Sequence, residues 1–176
     1  SKGAFYLFYA SKESLFMEIA EQVEERLRQE LFAMVDLPGP SPRARLFTIL
    51  HYAFHRVKTL PLLRFLTGSD YDLLTRRVPP EMFQEHVAQD RAFISELIAR
   101  CQNAGIPLQA QPEEIIRLLY PLAMTFLHED EYAGTFPLDG SVDVFLELIA
   151  AFWLGEIELQ LRPAGALSSL SEEGGT

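Results

Sequence analysis

Residues 11–35 read SKESLFMEIAEQVEERLRQELFAMV. Leu15, Ile19, Val23, Leu27 and Leu31 recur at helical spacing, so they line one stripe of an α-helix. Ser11 stands just ahead of the stripe as an N-cap, and Glu13 places an acid in the first turn, where the helix dipole favours it. The run Pro38-Gly39-Pro40-Ser41-Pro42 stops this helix and starts the next, with Ser41 as cap and Pro42 in the first turn.

The same reading extends along the chain. A second helix presents Leu46, Ile49, Leu50, Ala53, Phe54 and Val57 and ends before Pro61. A short helix around 62–66 meets a break at Gly68-Ser69-Asp70 and resumes over 71–77. Pro79-Pro80 opens a long helix through Phe83, Val87, Ile94, Leu97, Ile98 and Cys101, closed by Asn103-Ala104-Gly105. Another runs from Pro112 to Tyr132 with Pro121 inside it as a kink, and a last one from Ser141 to Leu161. From Pro163 the chain is small and polar, a loose tail over 163–176. The fold class is all-α.

The last two helices lack a polar face. Between Ile115 and Leu127 only Arg117 and Thr125 are polar, and between Val144 and Leu154 only Glu147 is. A helix apolar on every side must be covered on every side. The expected answer is a twofold homodimer in which the outer faces meet a second copy. Its seam is placed at Leu118, Leu122, Phe145, Ile149, Ala151, Phe152 and Gly155, with Ala151 and Gly155 one turn apart to let backbones approach.

Composition narrows the function. The 48% apolar and 23% charged content of the 176 residues is that of a globular chain and excludes general disorder. The single Cys101 excludes an internal disulfide framework, and it sits on an apolar stripe as a small core residue. No secretory signal opens the chain, and no apolar run reaches the roughly 18 residues of a membrane span, so a cytoplasmic protein without membrane contact is expected. The net charge is −10, yet residues 1–12 hold Lys2 and Lys12 and no acid; the rest therefore carries −12. Such a body repels nucleic acid. Any DNA contact must be made by one small end.

That end reads SKGAFYLFYASKESLF, residues 1–16. A glycine, two aromatics, a further aromatic and Ser-Lys-Glu followed by an apolar pair occur together. The stretch resembles the end of the helix-turn-helix head of the tetracycline-repressor (TetR) family of transcriptional regulators, with Tyr9 where that family usually has Phe and Ala10 where Pro is common. The resemblance implies that residues 1–12 are the last part of the DNA-binding head and 13–162 a helical ligand-binding and dimerisation domain. Lys2, Gly3, Tyr6 and Lys12 are then the DNA-contacting positions. Gly3 allows close backbone approach, Lys2 and Tyr6 reach phosphates or base edges, and Lys12 adds charge beside the exposed N–H groups of a helix start. Such a head needs preceding helices as a brace; operator binding is expected of the complete protein, extended before Ser1.

In that family the middle helices surround a cavity. Phe54, His55, Phe65, Tyr71, Phe83, His86, Tyr120 and Met124 are the candidate lining, apolar with a few polar tips, suited to a mostly apolar small molecule. His51 and His55 have a chelating spacing, but Tyr-Ala-Phe lies between them in place of a zinc-protease glutamate, and no third ligand is signposted. The run His128-Glu129-Asp130-Glu131 reads as a solvated acidic corner. No metal, no cofactor and no catalytic constellation is expected. The function expected is therefore a dimeric, ligand-responsive DNA-binding regulator, a repressor in most of the family. The rival is a helical dimeric small-molecule-binding protein without DNA activity.

Overall fold

Ser11 and Ser41 cap as their positions demand. The Ser14 N–H donates to Ser11 Oγ at 3.0 Å and starts α1 (Lys12–Val35), and the Ala44 N–H donates to Ser41 Oγ at 3.1 Å and starts α2 (Pro42–Thr59). Pro80 opens α3 (Pro80–Asn103), Pro112 opens α4 (Pro112–Leu127), and α5 follows as Ser141–Trp153. This computed structural model describes Tyr9, residues 11–60, Arg76, residues 78–127 and residues 140–158. Among the described residues there are five helices and no strand, so the chain is all-α. The expected short helix and break over 62–75 and the tail over 163–176 lie outside the described residues, as do 128–139.

Two helices end on the same device. The Gly105 N–H donates to the Gln102 carbonyl and the Ile106 N–H to that of Cys101; after α5, Gly155 donates to Phe152 and Glu156 to Ala151. Both glycines sit at positive φ, 79° and 71°, the left-handed conformation that closes a Schellman cap. This ends α5 at Trp153, eight residues before the expected Leu161. The apolar pattern runs on past the helix, but a left-handed residue cannot.

The helices α1 and α3 lie side by side and run the same way. Met17 and Met82 share one groove, Arg28 bonds Asp90, and the Phe32 and Phe93 rings lie 5.3 Å apart, in ascending order along both. Helix α2 returns antiparallel to α1, its Tyr52 hydroxyl and Arg56 Nε both donating to Glu30 Oε2. Helix α4 packs on α2 and α3, and α5 packs on α2, where Arg43 Nε donates to Glu147 Oε2 at 2.9 Å. Leu31, Val35, Leu46, Ile49, Ile98, Cys101, Ile106, Leu146 and Trp153 form the core. The loop after α3 docks on the end of α5, where the Gln109 N–H donates to the Trp153 carbonyl at 2.8 Å.

One side chain joins three helices at this end. Arg45 of α2 donates from Nη1 to the Ala104 carbonyl and from Nη2 to the Val35 carbonyl, each at 2.7 Å. Parallel helices bring two partial negative ends together, and a cation bonded to both offsets that repulsion. Cys101 lies in the core beside it, and burial pushes its thiol up to about 11, so it packs and does not react at neutral pH. Arg45→Met keeps the stem and removes both charge-assisted bonds. Urea unfolding followed by circular dichroism should show a loss of about 2–4 kcal/mol with the helix content unchanged.

Candidate functional site

Three places on the molecule have the makings of a site. The first is a cleft of about 190 Å³ between α2, α4 and the start of α5. His51, Phe54, His55 and Lys58 come from α2, Ala123, Phe126 and Leu127 from α4, and Val142 and Asp143 from α5. Phe54 and Phe126 meet edge to face at 6.0 Å, and His51 Nε2 lies 3.4 Å from Asp143 Oδ1. Of the eight lining residues expected from the sequence, Phe54 and His55 are here. Phe65 and Tyr71 lie outside the described residues. Met124 is half-buried away from the cleft, and Phe83 and Tyr120 are exposed, at 38% and 52%. His86 belongs to a different place altogether.

The second is a polar groove of about 470 Å³ between the first halves of α1 and α3, bordered by Tyr9, Ser14, Met17, Glu21, Met82, Glu85, His86 and Gln89. Beside it Arg28, 8% exposed and bonded to the groove residue Glu21, is a buried charge. Its Nη1 donates to Glu21 Oε1 at 3.0 Å and its Nη2 to Asp90 Oδ1 at 2.9 Å, which outweigh the burial and hold the guanidinium more firmly protonated. His86 Nδ1 stands 3.5 Å from Glu21 Oε2 and 3.6 Å from Glu24 Oε2, and its Nε2 stands 3.6 Å from Asp90 Oδ2. The Gln89 amide, turned nitrogen-first, donates to both Glu21 oxygens. Glu24 Oε2 is closed off from solvent and makes no hydrogen bond. Burial, opposed by His86 and Arg28 and helped by Asp90 and Glu21, pushes the Glu24 carboxyl up to about 7.

The sequence stripe on α1 does not foresee this arrangement. Ile19 is 42% exposed and Val23 and Leu27 are half-buried, while the face toward α3 carries Glu21, Glu24, Arg28 and Phe32. Their helical spacing places them on one face, as does the four-residue interval from His86 to Asp90. Nothing local says that the two faces meet.

The third is a set of uncovered apolar side chains on two helices. Ile116, Leu118 and Tyr120 on α4, and Val144, Phe145 and Leu148 on α5, are exposed by 38–60%. Leu122, Ile149 and Phe152 pack partly against the core. The expected seam needs correction at one position. Ala151 is 2% exposed, turned into this chain's own interior. Gly155 is exposed in the turn that closes α5, against the Gln109 side chain, and its positive φ accounts for the glycine. The uncovered apolar surface of α5 lies at Val144, Phe145 and Leu148. Of the positions expected from the sequence to contact DNA, Lys12 is exposed at the first residue of α1, and Lys2, Gly3 and Tyr6 lie outside the described residues. Among the described residues no helix is long and apolar enough to cross a membrane.

Comparison with known protein families, with characterised proteins and with solved structures gives no match to this chain.

The groove makes a pH signature. A carboxyl raised from its ordinary value to about 7 in the fold favours the folded state while it is protonated. That stability is whole below about pH 4.5, and it is lost as pH rises through about 7. In the presence of a chelator, the unfolding free energy should therefore fall by up to about 3 kcal/mol across that window from this group. Glu24→Gln should remove most of the fall, leaving the variant the more stable form at pH 8. Denaturant titrations at pH 5, 6, 7 and 8 read this directly.

Proposed function

We propose that this chain is the helical body of a dimeric, ligand-responsive transcriptional regulator whose DNA-binding head adjoins the start of α1. The observation that carries the reading is the set of exposed apolar side chains on α4 and on α5, above all Val144, Phe145 and Leu148, which together with the strongly apolar sequence of those helices asks for a second copy. Two further features support it. Helix α1 begins at the exposed Lys12 and ends in the core at Val35, so it joins the head-like sequence mechanically to the body. The cleft between α2, α4 and α5 offers aromatic walls with His51, His55 and Asp143 as polar tips, suited to a small organic ligand. Ligand there shifts the spacing of two heads by binding one state better than the other.

The exposed apolar side chains give the first test. Leu148 is 51% exposed in one chain, so Leu148→Glu leaves the fold intact and places a charge in the middle of the interface. Sedimentation should show a dimer for the parent chain at micromolar concentration and a monomer for the variant. A parent chain that sediments as a monomer overturns the dimer.

The DNA role is tested with the full-length product of the gene that encodes this chain, in unbiased selection from random duplexes. The expected result is a dyad-symmetric site whose binding falls steeply with salt. Lys12→Ala should make that slope shallower by about one ion for each phosphate the lysine neutralises. If no salt-sensitive sequence preference emerges while the dimer holds, the protein is a helical small-molecule-binding dimer instead.

A further inference from the structure

We propose that Glu21, Glu24 and His86 form a binding site for one divalent transition-metal ion, which staples α1 to α3. Each of the three offers one donor atom, and the three donors lie within 4.8 Å of one another. In a tetrahedral zinc site with bonds of about 2.0–2.1 Å, neighbouring donors stand about 3.3–3.4 Å apart. The distances from His86 Nδ1 to the two carboxylate oxygens, 3.5 and 3.6 Å, need a contraction of only a few tenths of an ångström. The donors come from two helices whose facing is fixed elsewhere by Phe32, Phe93 and Arg45, so the chelate is assembled by the fold.

The surroundings are those of a metal ligand set and not only of a patch of acids. His86 Nδ1 lies 3.5 Å from Glu21 Oε2, while Nε2 stands 3.6 Å from Asp90 Oδ2, just beyond hydrogen-bond distance; a small closure on that side gives the carboxylate–histidine arrangement that holds the ring with Nδ1 free to coordinate. Glu24 Oε2 is shielded and accepts no hydrogen bond, so one donor is already desolvated. Arg28 bonds the far oxygens, Glu21 Oε1 and Asp90 Oδ1, and leaves Glu21 Oε2 and Glu24 Oε2 near His86. An ion would lengthen the 3.6 Å approach of Arg28 to Glu24 Oε2 and displace the Gln89 amide from Glu21 Oε2.

Charge balance favours a divalent ion. With the carboxyls ionised and the imidazole neutral, as ligation requires, Glu21, Glu24 and Asp90 carry three negative charges and Arg28 one positive, leaving two for the ion to offset; Glu25, also near Arg28, is 55% exposed and screened by water. One imidazole and two carboxylates suit zinc, cobalt or nickel better than calcium or magnesium, which take all-oxygen shells with more ligands. The polar groove above Glu21 and His86 leaves room for water in the remaining position. The site owes nothing to the regulator reading, and its test involves no DNA.

The experiment uses tag-free, chelator-stripped protein titrated with Co2+, read by visible absorption, and with Zn2+, read by calorimetry. The expected result is saturation at one ion per chain with the intense absorption bands of a four-coordinate cobalt site. Glu24→Gln and His86→Ala should each weaken binding by at least about 100-fold, and Asp90→Asn by about 10–100-fold through loss of the ring's support. The double variant His51→Ala, His55→Ala removes the other histidine pair and should bind as the parent does. Far-ultraviolet dichroism checks each fold, and Asp90→Asn replaces any variant that loses its helices. Absence of saturation below millimolar ion, binding indifferent to Glu24, His86 and Asp90, or binding lost with His51 and His55 would each overturn the site.

Discussion

Arg45 stands where the last carbonyl of α1 and the first carbonyl beyond α3 converge, and its guanidinium bonds both. Two parallel helices set their C-terminal partial charges side by side, an arrangement that repels unless a cation or a donor group intervenes. Arg45 supplies both from the first turns of α2. The pairing of α1 with α3, the packing of α2 on α1 and the docking of Ile106 into the core meet at this point. The buried residues cluster there as well: Val35, Leu46, Cys101, Ile106 and Trp153 have almost no exposed surface.

Away from that end the character of the α1–α3 interface changes. Near Val35 it is apolar and aromatic, with Phe32 against Phe93 and the Arg100 guanidinium 3.9 Å over the Phe32 ring. Two turns earlier it becomes ionic, with Arg28 among Glu21, Glu24 and Asp90. Burying this many charges costs desolvation that the pairing barely repays. The raised Glu24 carboxyl is the visible sign, since the fold makes its ionised form expensive. Hydrophobic residues at the same positions would pack the two helices more firmly, so the ionic stretch is a departure from what stability alone selects.

Local signals carried the element boundaries in the sequence. Ser11, Ser41, Pro80 and Gly105 act within one turn of themselves, so their effects follow from near neighbours and are seen where expected. Glu147, the one polar residue in the last apolar stretch, meets Arg43 across 104 residues, and the sequence marks only its oddity. The groove was illegible for the same reason: His86 reaches Glu21 across 65 residues, and charged side chains read as solvated until a second helix is laid over them. Ala151 shows the converse error. A small residue permits close approach, but its spacing does not say whether the approaching surface is the chain's own.

The contacts α1–α2, α2–α4, α4–α3 and α3–α1 close a ring of four helices, with α5 against α2. Such a ring does not respond evenly to a change between two of its members. At the Arg45 end, hydrogen bonds and a filled core fix the separation of α1 and α3. At the other end the same two helices are parted by a groove of about 470 Å³ and held by charges. The stiffness is therefore graded along the pair, lowest where few apolar contacts oppose opening. A proton at Glu24, or an ion held with His86, would act at the compliant end, where closing or splaying the helices disturbs little packing. Because α1 starts at Lys12 beside that groove, a change in helix separation there would turn the start of α1 about the Arg45 end.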